Sequence, residues 1–317
     1  MKKILPFEPY KEMTSYPFFS DYLGVLNAHG YDVSNILFNN FLTLYFYPKD
    51  KQIGFRKFKY VKRLFKCEKL KIDYKNPIKS ICDLLDNNKY VEIILNCLCL
   101  PFVKTTKYEF HDWLIYGYDD ENKHFLAAGY LTQPGQVFFK YHKITISYDD
   151  FAKALPAPDI KTGFENNIMY NHTFSLRQNF SVERINYLKI AFRLLNYIIP
   201  FPPVFYNISV YKRYEKYINK NIETLKWFDL RNIVTINDHK KIIYSFACEY
   251  LKNDPIVDEI KTKILAQSDL LLHCAIKYNL THKKSILYDV LSIFKQLSQN
   301  EKNIFASLIK KILKQGR

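Results

Sequence analysis

The chain has 317 residues, 48% of them apolar, and a formal net charge of +16. This length allows one large core or two modest ones, and the apolar content excludes a disordered chain. No apolar run can cross a membrane, because Ile190–Val204 is interrupted by Arg193, Asn196 and three prolines.

Met1–Pro17 reads as an irregular, proline-punctuated arm. Pro6, Glu8, Pro9 and Lys11 break the apolar region that a signal peptide needs, so a cytoplasmic protein is expected. Phe18–Asn27 has helical spacing of Phe19, Tyr22, Leu23 and Leu26 and ends at Gly30. Ser34 is placed to cap a short helix through Asn40, and Leu42–Tyr47 is strand-like. Lys51–Lys71 interleaves basic residues with Phe, Tyr, Val and Leu. It reads first as a solvated basic face and second as an anion-docking surface. Pro77–Asn87 is a helix.

Tyr90–Leu100 is an apolar, β-branched run closed by Pro101, the pattern of a buried strand. His111–Tyr118 is a second strand, Asp119–Lys123 a polar turn and His124–Tyr130 a third strand. Together they predict an antiparallel meander. Val137–Ile146 is strand-like, and Ser147–Leu155 is a short helix capped by Ser147 and stopped by Pro156.

The spaced prolines of Pro156–Gly163 mark a boundary, giving residues 1–155 and 156–317 as two halves. The fold class expected is α+β: an antiparallel sheet with helices, then a mainly helical C-terminal half. Phe174–Leu176 can still form a strand. Ser181 is placed to cap Val182–Ile199, with Ile185, Leu188, Phe192 and Leu195 as its buried stripe. Tyr206–Asn219, Asn237–Lys252, Ile256–Tyr278, Lys283–Leu297 and Glu301–Lys314 follow as helices. His239 then falls at a helix start, where capping explains it, and His273 and Cys274 read as core. No His, Cys, Asp or Glu set has zinc spacing, and eight glycines leave no phosphate loop, so neither metal nor cofactor is expected.

The cysteines at 67, 82, 97, 99, 248 and 274 form no disulfide framework, as in a reducing compartment. Cys97 and Cys99 close the first strand of the meander and His111 opens the second. Antiparallel pairing sets those ends roughly 5 Å apart between facing Cα atoms. A thiol and an imidazole can therefore meet, as a Cys–His nucleophile pair requires. Two residues apart on a strand, the thiols share a face, and alternation does not choose between them. On residues alone, packing in a buried strand is the simpler account of both.

HDWLIYGYDDENKHFLAAGY, with Leu100-Pro101 before it, resembles the segment that identifies the papain-like, peptidase-C39-like family typified by the N-terminal domain of butirosin biosynthesis protein H. Phe228-Asp229-Leu230-Arg231 with Asp238-His239-Lys240-Lys241 is similar, more weakly, to a signature in the helical half of such proteins. The resemblance spans about residues 10 to 250, and only the His111 strand and its turn are specific. It implies a papain-like fold and amide-bond formation in antibiotic biosynthesis. The acyl group would arrive as a phosphopantetheine thioester on an acidic acyl or peptidyl carrier protein, and a small amine would accept it.

The family nucleophile falls near Phe18, before Leu23-Gly24-Val25-Leu26, with no cysteine ahead of Cys67, and the family acid falls near Gly129. The site is then either lost or rebuilt around Cys99 or Cys97, with His111 as base and acid. Asn96 lies where relatives carry an acid, and serves either in the site or as a satisfied buried amide. Asp119 and Asp120 lie roughly 25 Å along the strand from His111 and are turn residues. The alternative is a catalytically inactive papain-fold protein that docks a carrier protein or nucleic acid. The net charge of +16 suits an acidic carrier.

Overall fold

The computed structural model describes residues 1–10, 13, 15, 17–40, 43–47, 51–55, 63–103, 109–131, 140–157, 171–178, 184–195 and 208–315. The chain divides into two compact units, Met1–Tyr31 with Lys59–Ser181, and Asp32–Phe58 with Val182–Arg317. The expected division at residue 155 rested on proline punctuation, whereas each unit is assembled from two separate stretches of chain.

The described strands are β1 (Lys2–Ile4), β2 (Leu44–Tyr47), β3 (Gln52–Phe55), β4 (Phe65–Lys69), β5 (Tyr90–Asn96), β6 (Phe110–Asp119), β7 (His124–Leu131), β8 (Lys140–Ser147) and β9 (His172–Leu176). The first unit is an antiparallel seven-stranded sheet in the order β4-β9-β5-β6-β7-β8, with β1 on β6. The meander β5-β6-β7 is as its apolar periodicity demands. The first residues are not an irregular arm: Lys2–Ile4 pair with Asp119–Gly117. Gly117 permits this, since a Cβ there would lie 2.7 Å from the Lys3 carbonyl oxygen. Residues 137–139 of the expected strand Val137–Ile146 lie outside the described residues.

Helix α1 (Pro17–Ala28) sets Tyr22 against Phe65 and Phe174, with ring centroids 4.7 and 4.5 Å apart. Pro77 opens α3 (Pro77–Asp86), which buries Ile81 and Leu85, the period of an amphipathic helix. The Ser147 hydroxyl accepts from the Asp150 N–H at 3.0 Å and so caps α4 (Tyr148–Ala154). Phe151 from that helix packs on Phe125.

The second unit joins α2 (Val33–Asn40) and the β2-β3 hairpin to helices from the C-terminal half. The cap of α2 is Asp32, whose carboxylate accepts from the Asn35 N–H, so the expected cap Ser34 lies inside the helix. Helix α5 (Tyr187–Leu195) buries Ile190, Ala191 and Leu194 and exposes Leu188 and Phe192. The expected stripe is thus the wrong face, because the small Ala191 marks the close-packed side. The expected cap Ser181 lies outside the described residues. Helix α6 (Ile208–Asn221) follows.

Helix α7 (Leu230–Tyr250) starts earlier than expected, because Asp229 caps it by accepting from the Arg231 N–H. His239 is consequently mid-helix and fully buried, not at a cap. Helix α8 (Pro255–Ile260) passes through one π-helical stretch, Lys261–Leu265, into α9 (Ala266–Thr281). Helix α10 (Ser285–Gln315) is continuous where two helices were expected. Its interior residue Glu301 binds Lys240 of α7 at 2.5 Å, with both side chains fully buried. His273 is exposed and Cys274 half-buried, not core, because α9 buries the stripe through Leu271, Ala275 and Tyr278. Among the described residues no helix is long and apolar enough to cross a membrane.

Candidate functional site

Three segments of the first unit meet where β5 ends. β6 begins there with Phe110, and Leu95 faces His111 across the pair. Asn96 ends β5 by accepting the Leu98 N–H on its side-chain oxygen at 3.1 Å. Cys97–Cys99 therefore form a 3-10 turn and not the end of a strand. The alternation that was expected to put both thiols on one face does not apply to them.

His111 is half-buried. Its Nδ1 lies 2.9 Å from Oδ1 of Asp112, and among the described residues Nε2 has no hydrogen-bond partner. Burial opposes a charged imidazole, but the Asp112 carboxylate outweighs it and raises the His111 pKa. Asp112 is the orienting group that sequence reasoning missed. Adjacent strand residues ordinarily point to opposite faces, so a neighbour in sequence is not an expected partner.

The two thiols differ. Cys97 is buried, with its N–H donated to the Glu109 carbonyl at 2.8 Å. Burial pushes its thiol up to about 12, the charges of Glu109 and Asp112 add to this, and the Trp113 indole eases it. Cys99 is only half-buried, and its Sγ lies 3.6 Å from Nδ2 of Asn96. Among the described residues neither thiol is hydrogen-bonded to His111. The Gly129 position holds no acid and has no room for one, since a Cβ there would lie 2.5 Å from the Trp113 ring.

Asp112 also borders a buried polar network that joins α1 to the sheet. Asp21 of α1 accepts a hydrogen bond from the Tyr141 hydroxyl of β8 and contacts Glu92 of β5. The Tyr22 hydroxyl lies 2.7 Å from Nε2 of His172 and 3.5 Å from Sγ of Cys67. Oδ2 of Asp21, Oε1 of Glu92 and Oδ2 of Asp112 are buried with no donor among the described residues.

Two touching buried carboxyls must share a proton, and environment decides which one keeps it. Burial raises Glu92 well above the carboxylate range, and the charges of Asp21 and Asp112 add to it. Burial also pushes Asp21 up to about 7, although bonds from Glu92 and Tyr141 hold it down. Both shifts favour a protonated carboxyl at this contact, the more so at Glu92. Among the described residues no group of three His, Cys, Asp or Glu side chains has the geometry to hold a metal ion. The visible signal for this network is a lone acid inside each of two apolar segments, Asp21 in YPFFSDYLGVL and Glu92 in YVEIIL.

Chemically, the arrangement provides an imidazole held at Nδ1, its Nε2 without a hydrogen-bond partner among the described residues, and a half-buried thiol on the adjoining turn. A scan against protein-family models and a search of curated proteins each find no match to this chain.

Proposed function

We propose that the first unit is a papain-like acyltransferase that forms an amide from a carrier-bound thioester and a small amine. Cys99 is its nucleophile, His111 its general base and acid, and Asp112 the positioning residue that holds the imidazole. The observation that carries this reading is the His111–Asp112 pair, with Nδ1 engaged at 2.9 Å and Nε2 without a partner among the described residues. That is how a base is held ready to exchange protons with a nucleophile and a leaving group.

In the first step His111 takes the Cys99 proton and the thiolate attacks the thioester carbonyl. The carbon–sulfur bond to the carrier breaks, and the departing thiol takes the proton back from the imidazolium. In the second step the amine attacks the acyl-enzyme and His111 removes its proton. The amide leaves and the proton returns to Cys99, so no oxidant, reductant or metal is consumed. Half-burial favours Cys99 over Cys97, whose thiol is pushed up to about 12. Asn96, bonded to both the turn and Cys99, positions the thiol.

A second reading has a specific observation in its favour: among the described residues no thiol is bonded to the imidazole, so the fold binds a carrier without chemistry. Catalytic hydrogen bonds commonly tighten only when substrate is bound, so the decision is experimental. Intact-mass spectrometry with a carrier-bound acyl thioester should show one acyl adduct on the wild type and on Cys97→Ala. Cys99→Ala should show none. An adduct lost in Cys97→Ala but kept in Cys99→Ala moves the nucleophile to Cys97. Its absence from every form, with the carrier still bound, establishes the non-catalytic reading.

A further inference from the structure

The second unit contains a cavity of about 120 Å³ that the acyl-transfer reading leaves unused. It lies between α6, the segment 222–229 that precedes α7, Asn232 of α7, and Lys51 just before β3. Its size is near that of an engineered apolar cavity of about 150 Å³ that admits benzene.

The cavity is aromatic on three sides. Tyr214 and Tyr217 of α6 stack with centroids 5.8 Å apart, and Phe228 meets Tyr214 edge-on at 6.0 Å. Trp227 completes the lining and is 61% exposed, an unusual setting for a large indole. The walls are held from outside. Asn279 accepts from the Phe228 N–H at 2.7 Å and donates to its carbonyl at 3.0 Å, and Tyr278 donates to the Leu225 carbonyl. Segment 222–229 is therefore fixed to α9, and the space is preformed, not opened by a ligand.

Two charged groups line it, and only one is available. Asp229 is spent on the α7 cap and on a bidentate bond with Arg231. Lys51, just before β3, places its ammonium 5.4 Å from the Tyr217 ring centre and meets no carboxylate among the described residues. The Tyr214 hydroxyl accepts from Asn232 at 3.1 Å, which leaves its own proton to donate. Asn232 is saturated by Ile53, Lys51 and Tyr214. Flat apolar walls with one cation that meets no carboxylate among the described residues, and one spare hydroxyl, suit a flat body that carries a negative charge.

We propose that this cavity binds a small planar aromatic acid, with its ring against Trp227 and Tyr217 and its carboxylate on the Lys51 ammonium. Trp113 and Trp227 are the two tryptophans of the chain, so the indole N–H region of an NMR spectrum reports on the site directly. Benzoate, titrated into the full chain, should shift the Trp227 indole resonance saturably and leave that of the buried Trp113 unmoved. Trp227→Phe assigns the peak.

Lys51→Asn should weaken benzoate by about tenfold or more, the loss of one charge-assisted contact. Asn suits the site because Lys51 has φ 52, a left-handed conformation that Asn tolerates. If that variant loses its dispersed indole peaks, Lys51→Gly gives the same test. Benzylamine and acetate at equal concentration should fail to shift Trp227. The proposal is overturned by a non-saturating shift, by benzylamine binding as well as benzoate, or by benzoate binding that ignores the loss of the Lys51 charge.

Discussion

Asp112 serves two neighbours of opposite need. One oxygen holds His111, and the other is buried beside a network in which Glu92 and Asp21 share a proton. Because burial raises both Asp21 and Glu92 above an unfolded carboxylate, the folded state binds more protons than the unfolded state across the intervening pH range. Stability must then fall as pH rises, here between the unfolded value of about 4 and the folded value of about 7 for Asp21. Each such proton contributes a slope of up to about 1.4 kcal/mol per pH unit. Asp21→Asn, which still accepts from Tyr141 and Glu92, should flatten that dependence. Urea unfolding followed by near-ultraviolet signals at pH 5 and pH 7 measures it. An unchanged slope in the variant would remove the shared proton from the account. The same residues explain the partial legibility of the site. His111 stands out on its strand, whereas Asp21, Glu92 and Asp112 are lone acids whose meeting no local pattern announces.

Among elements, α7 and α10 are tied by a buried charge pair that the sequence places 61 residues apart, Lys240 and Glu301. Tyr211 of α6 donates to the same carboxylate at 2.7 Å, and the Lys240 ammonium also lies 2.8 Å from Nδ1 of His239. Burial lowers Lys240 and raises Glu301, and the pair offsets part of this in each partner. Removing one partner strands the other in an apolar setting. Lys240→Met should therefore cost about 3–5 kcal/mol. The double variant Lys240→Met with Glu301→Gln should recover much of that, since no unpaired charge remains. Chemical denaturation of the two variants tests this, and equal losses would mean that packing outweighs charge at this contact. The continuity of α10 has the same source. Ser298-Gln299-Asn300 looks like a break, but it contains neither Gly nor Pro, and the buried Glu301 holds the helix through it.

At the scale of the whole molecule, the net charge of +16 is the property on which the proposed carrier docking rests. The proposed docking of an acidic carrier protein should depend on salt, because exposed charges are screened over roughly 8 Å at physiological ionic strength. Its affinity should fall by about tenfold from low to physiological salt, read by calorimetry or fluorescence anisotropy. Equal affinity at both strengths would mean that the charge has no part in docking, and tighter binding of mixed RNA would redirect the partner to nucleic acid. The charge is legible in the composition, whereas the assembly of each compact unit from two separate stretches of chain is not.

Apolar alternation was sufficient for the β5-β6-β7 meander, and helical periodicity for the character of the second half. Pro77 and Ser147 opened their helices where their local chemistry requires. Those features depend on residues within a few positions of one another, so they can be read along the chain. The pairing of β1 with β6, the 3-10 turn that separates Cys97 from Cys99, the buried face of α5 and the contact of Glu92 with Asp21 depend on surfaces distant in sequence. Which apolar faces close on each other, and which acids they trap together, is decided by packing and desolvation in the folded chain, and neither is a property of any short segment.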